Sequence, residues 1–245
     1  MTQKKQPLFS PLYEEEQKKH LDIDLDSLYS RAFSELGLQQ TKRDQIITLY
    51  LAMFSFLIPF ALSMEGMGLL VKGLIFLATA IVGFLFALII IRYRIYKEIY
   101  WLCCQSLTVL QSVQTEKMNK EMIQKVYYHT LKKKGKSFLK TNADGETFFS
   151  NKLYVKKNLF SSESIYFFIH NFLTSLIAGL SAGLIFPCST TLRIALAILA
   201  AILVFFILSA KYFHECIKVY SVLEDESDES FNRTFSKAWF LHFYV

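Results

Sequence analysis

Four apolar blocks constrain this chain more than any other feature: Ile46–Leu62, Gly73–Ile91, Ile165–Phe186 and Ile194–Ala210. They are 17, 19, 22 and 17 residues long. A helix rises about 1.5 Å per residue, so roughly 20 apolar residues cross a hydrocarbon core about 30 Å thick. The two shorter blocks reach that length by taking in Gln45, Ser63, Leu192 or Arg193, whose polar ends suit the headgroup layer. The blocks come in two pairs, with long polar segments only between and outside the pairs. A content of 53% hydrophobic residues, 23 phenylalanines and a mean hydropathy of +0.30 fit this reading better than a soluble domain. The first 44 residues are polar, and the first block is too long and too far in for a cleaved signal. No lipidation signature is expected either, since position 2 is Thr and the chain ends in Phe243-Tyr244-Val245.

The expected fold class is therefore an all-α membrane protein, with four transmembrane helices as two hairpins and a small, mostly helical cytosolic insert domain. Residues 1–44 are the cytosolic N-terminal segment with an amphipathic helix, and residues 45–91 the first hairpin. Residues 92–164 are the basic insert, residues 165–210 the second hairpin, and residues 211–245 a cytosolic helix and aromatic tail.

Orientation follows from lysine and arginine, which accumulate on the cytosolic side of a bilayer. Of 27 such residues, 25 lie in the three long polar segments, and only Lys72 and Arg193 adjoin the two short turns. This predicts a multi-pass protein of the cell inner (plasma) membrane with both termini and the insert in the cytosol. The hairpins also match in length. Ile46 to Arg92 and Ile165 to Lys211 each span 46 positions, and Arg92-Tyr93 and Lys211-Tyr212 close the second helix of each. Such matching is expected of a duplicated hairpin.

Leu21–Leu38 reads as an amphipathic helix, with Asp26 or Ser27 as its cap and Gly37 as its end or a bend. In the insert, Tyr93–Val113 continues the second span, Met118–Lys134 forms another helix, and Phe138–Thr141 and Glu146–Phe149 flank an Asn142-Ala143-Asp144-Gly145 turn. The insert holds 14 basic and 6 acidic residues, a net of +8, against +6 for the whole chain. Lys132, Lys133, Lys134, Lys136, Lys140, Lys156 and Lys157 are its candidate anion-binding residues. Tyr127, Tyr128, Phe138, Phe148, Phe149 and Tyr154 are interleaved with them as candidate stacking platforms for a nucleotide or short nucleic acid. Anionic lipid and orientation alone are the competing explanations for the charge. Lys132 lies about 40 residues from one span, beyond the roughly 15–20 residues over which orientation is set, so topology alone does not account for it. In the tail, Phe231, Phe235 and Trp239 are spaced four apart and offer a face for packing, headgroup anchoring or a cytosolic partner protein.

Within the membrane, Asn171, Ser175, Gly179 and Gly183 recur every four residues along span three. Small residues at that spacing let helices approach closely. The stripe is a candidate for helix packing or for lining a pore, and it predicts a homo-oligomer, tetramer or larger, with span three near the axis. His170 is a titratable group near the cytosolic end of that span. Lys72 and Arg193 are candidates for an outer-mouth ring of charge.

The sequence contains no HExxH, GxSxG or P-loop pattern, and its four cysteines and five histidines lack metal-site spacing. No enzymatic activity, metal or cofactor is expected. The layout of paired spans, basic cytosolic insert and cytosolic termini resembles the transmembrane effector subunits of bacterial anti-phage systems, of Hailong type or SLATT-like. That resemblance implies a membrane domain answering a nucleotide or DNA signal received by a soluble part. The expected function is thus an oligomeric membrane effector or channel whose basic domain senses a nucleotide and gates permeability in antiviral defence. The alternative is a non-conducting scaffold or accessory subunit of a membrane complex.

Overall fold

The computed structural model describes residues 24–63, 65–113, 120–141 and 147–220. The expected turn at Asn142–Gly145, the acidic run after Leu223 and the Phe231, Phe235 and Trp239 face lie outside the described residues. The helices are α1 (Leu25–Ser63), α2 (Leu69–Val113), α3 (Lys120–Gly135), α4 (Asn151–Asn158), α5 (Ser162–Ile185) and α6 (Thr190–Lys218). Between α3 and α4 come a 3-10 turn, Lys136–Phe138, and two antiparallel strands, β1 (Leu139–Thr141) and β2 (Thr147–Phe149), with Leu139 opposite Phe149.

Four of these helices, α1, α2, α5 and α6, are long and apolar enough to cross a membrane. They pack in chain order: α1 on α2, α2 on α5, α5 on α6. α1 and α2 run 39 and 45 residues, so at about 1.5 Å per residue they extend roughly 58 and 67 Å, well past any apolar block. Their excess lies at one end of the bundle, called the charged end below. There Gln111, near the end of α2, donates to Asp26 at the start of α1 (2.6 Å).

Local chemistry sets the helix ends. The Asp24 carboxylate accepts from the backbone N–H groups of Asp26 (3.1 Å) and Ser27 (3.3 Å), so Asp24 caps α1 in place of the expected Asp26 or Ser27. Gly37 does not end the helix, which continues to Ser63. Gly66, at φ +85°, supplies the left-handed residue that reverses the chain into α2. Ser150 and Ser161 cap α4 and α5 by accepting from Leu153 N–H (3.4 Å) and Ser164 N–H (3.3 Å).

Two cores result. The smaller lies in the bundle around Tyr50, Ala61, Phe76, Ala80 and Ile177. The larger starts in the bundle at Ala87 and Ile90 and runs along α2 through Leu102, Cys103, Leu107 and Leu110. It takes in Tyr127 and Leu131 of α3, Phe138, Phe149, Tyr154 and Tyr220. The described residues between the second and third long helices share this core, forming a layer laid against α2 and the end of α6.

Candidate functional site: the charged end and the polar interior of the bundle

Two carboxylates organise the charged end. Glu98 stands on α2, seven residues past the apolar block that closes at Ile91. It is paired with Arg94 one turn earlier (2.8 Å), with Lys134 of α3, and with the hydroxyl of Tyr220 beyond α6. The Lys134 ammonium also lies 3.7 Å from the centroid of the Trp101 ring. Burial disfavours the Glu98 anion, but Lys134 and Arg94 outweigh it and hold the carboxyl down at about 2. Burial also pushes the Lys134 ammonium down, against the pull of Glu98. The second carboxylate, Glu163 at the start of α5, pairs with Arg43 of α1 and Lys97 of α2. Arg43 is fixed further by Asp44 (2.6 Å) and by the Tyr166 ring (4.9 Å). One node thus ties α1, α2 and α5 together, and the other ties α2 to α3 and to the chain leaving α6.

The predicted basic residues divide on this frame. Lys134 is half-buried and engaged in the Glu98 node as a structural cation. Lys132, Lys133, Lys136, Lys140 and Lys156 are exposed. Lys157 is exposed too, and donates to the Ser137 carbonyl (2.8 Å). α3 folds back along α2, so Lys134 sits beside Glu98, about 10 Å along the helix from Ile91.

Most of the expected stacking platforms are interior. Phe138, Phe149, Tyr154 and Tyr220 form one aromatic cluster, with Phe138 4.9 Å from Tyr154 and Phe149 stacked on Tyr220 at 5.9 Å. Tyr127 is fully buried. Only Phe148 is exposed, and Tyr128 is half-buried.

The stripe on α5 is engaged within the chain. Asn171 Nδ2 donates to the Phe205 carbonyl and to Ser209 Oγ of α6 (both 3.0 Å), and Ser175 Oγ donates to Asn171 Oδ1 (3.3 Å). A Cβ at Gly179 would stand 2.5 Å from the Ala197 carbonyl oxygen, and one at Gly183 3.2 Å from the Ala197 Cβ and from the Arg193 carbonyl oxygen. The stripe packs between α5 and α6. On the opposite side of α5, Ser181 donates to the Gly73 carbonyl (3.0 Å). His170 Nε2 lies 2.9 Å from the Gly83 carbonyl oxygen. A carbonyl only accepts, so Nε2 carries the proton. Tyr50 of α1 closes over the imidazole with ring centroids 4.5 Å apart. Gly83 gives room here: a Cβ would crowd the Tyr50 hydroxyl and lie 2.6 Å from Thr174 Oγ1, so one of those side chains would have to shift.

Lys72 and Arg193 lie at the other end of the bundle, both half-buried. They flank the last turn of α5, since Gly73 approaches Ile185 and Gly183 approaches Arg193.

Sequence reading missed the two nodes. Their one visible trace is Arg94 and Glu98 at i, i+4 spacing, and two carboxylates placed close to span ends in a strongly basic segment. The partners Lys134, Tyr220 and Arg43 are distant in sequence and carry no local mark.

Fold and site define a largely helical protein with four helices able to span a membrane and an ion-paired charged layer at one end. No protein-family model, curated protein or solved structure matches this chain.

Proposed function

We propose that this protein is a membrane effector whose basic cytosolic layer binds a polyanionic signal, a nucleotide or short nucleic acid, and passes that binding to the membrane bundle. The observation that carries this reading is the Glu98 node. Lys133 and Lys136 are exposed on the layer, while their neighbour Lys134 is paired with a carboxylate on α2, the helix that both packs α1 and α5 and enters the layer. A ligand that draws charge from α3 acts directly on Glu98, and through Lys97 and Glu163 on the helices beside it.

In this reading both termini and the layer face the cytosol of a plasma-membrane protein, the four long helices form two hairpins, and permeability is the output. One chain has too few helices for a wide pore, so the working unit is a homo-oligomer. Because the stripe on α5 is covered by α6, copies meet through other faces, such as the exposed Ile198, Ile202 and Phe206 of α6. In that assembly Lys72 and Arg193 ring the outer mouth. A defence role against phage rests on the layout resemblance alone.

The test is leakage of a trapped dye from proteoliposomes holding the full-length protein, with ATP or a short oligonucleotide added on the side of the layer. Ligand-dependent leakage, with steep salt dependence, that is lost in a Lys133→Glu, Lys136→Glu, Lys140→Glu variant supports the reading. Ligand binding that is absent even at low salt contradicts it. The second reading, a non-conducting scaffold, is favoured by a specific observation: the polar side chains of α5 are bonded inside the chain rather than presented to a lumen. Binding without leakage is the outcome it predicts.

A further inference from the structure

We infer that α4 and the corner that follows it form a separate binding site for anionic lipid headgroups, built from Lys152, Lys156 and Phe160. The two sides of α4 differ. Tyr154 is buried, 4.9 Å from Phe138 and 5.6 Å from Tyr220. Lys152 and Lys156 are exposed, and positions four apart share one face of a helix. Leu159 keeps a helical backbone (φ −54°, ψ −42°), so Phe160, another four residues on, continues the same line. No acidic residue lies on α4 to neutralise these cations.

Phe160 is 81% exposed, the highest value among the large apolar side chains of the described residues. Water is a poor environment for it. Two residues later α5 begins at Ser162, and its apolar block starts at Ile165, about 5 Å further along the helix. Phe160 therefore stands at the level of the headgroups, where an aromatic ring covers its apolar surface and neighbouring lysines meet lipid phosphates. A second set of contacts fixes the same depth. Lys157 at the end of α4 holds the Ser137 carbonyl, and α3 just before that turn is pinned to Glu98, close past the end of the apolar block. The occupant is a phosphate with acyl chains attached: a soluble phosphate satisfies two lysines but leaves the phenyl ring in water. Of this site only Lys156 is shared with the candidate residues of the soluble-ligand reading, whose test rests on Lys133, Lys136 and Lys140.

The experiment is native mass spectrometry of the full-length protein released from nanodiscs of mixed phosphatidylglycerol and phosphatidylcholine. The wild type is expected to retain phosphatidylglycerol several-fold over phosphatidylcholine. A Lys152→Gln, Lys156→Gln variant is expected to fall to parity, and Lys152→Arg, Lys156→Arg to keep the preference. Phe160→Ser should lower retention of both lipids, and Lys133→Gln, Lys136→Gln should leave the preference intact. Parity in the wild type, or an undiminished preference in the Gln variant, overturns the site. So does displacement of the lipid by inorganic pyrophosphate equally well in wild type and Phe160→Ser, which would mark a site for free phosphate.

Discussion

The bundle and the charged end both bury polar groups, but of opposite kinds. Between the long helices the buried polar side chains are neutral: Asn171, Ser175, Ser181, Thr174 and His170, most of them bonded to a backbone carbonyl or a hydroxyl of the facing helix. At the charged end they are ions, Glu98 and Arg43, paired with the partly buried Arg94, Lys134, Glu163 and Lys97 at the node edges. The difference follows from desolvation. An amide in hydrocarbon asks for one or two hydrogen bonds, whereas an ion asks for a counter-ion at several kcal/mol if it is missing. Charge can be used for coupling only where counter-ions from several elements converge, and here that is within two turns of the apolar blocks.

Removing an ion partner should therefore cost most. Glu98→Ala leaves the partly buried Arg94 and Lys134 without their anion, and about 3 kcal/mol of stability of the layer should be lost, the low end for a fully buried pair. Limited proteolysis between Lys120 and Ser161 should become fast while the four long helices stay protected. The same node gives a pH dependence with a definite sign. The Glu98 carboxyl is depressed, so its contribution is complete above its ordinary value of 4.5 and is lost as pH falls towards about 2. Protection of the layer should fade in that acid window in the wild type and be flat there in Glu98→Gln. Next comes Gly179→Leu, which forces α5 from the Ala197 carbonyl. Overpacking of this kind costs about 1–3 kcal/mol, and here it should lower the melting temperature of the single chain in detergent, whatever the oligomeric state. Smallest is Asn171→Ala, which removes the bonds to Phe205 and Ser209 and should cost about 1 kcal/mol, readable as a modest loss in the same thermal assay. If Asn171→Ala proved as damaging as Glu98→Ala, the contrast between neutral and ionic burial would be wrong.

Much of this architecture is legible without coordinates because its signals are local. The apolar blocks fall inside the four long helices to within one residue, the second helix continues to Val113 as its pattern predicts, and the strands beside residues 142–146 lie within a residue of expectation. Gly37 misled because one glycine costs a helix only about 1 kcal/mol, less than the packing of α1 along α2 returns, and a Cβ there would meet open space. The aromatics of the layer misled for a different reason. Interleaved Lys and Phe suit a nucleic-acid surface and a small core equally, and only the fold-back of α3, α4 and Tyr220 onto α2 decides that Phe138, Phe149 and Tyr154 are core. The same fold-back brings Lys134 to Glu98, across 36 positions that no periodicity connects. The equal hairpin lengths do not extend to the helices: α1 and α2 have 39 and 45 residues against 24 and 29 for α5 and α6.

Everything proposed here depends on the charged end and the short turns lying on opposite sides of a membrane, and the chain carries its own reporter. Cys103, Cys104 and Cys216 are buried, whereas Cys188 is partly exposed in the turn between α5 and α6. A membrane-impermeant maleimide applied to intact cells should label the wild type, and Cys188→Ser should abolish the signal. On that Cys188→Ser background, Lys133→Cys should react only after the membrane is opened. Labelling of Lys133→Cys in intact cells, with Cys188 protected in the wild type, would contradict the account.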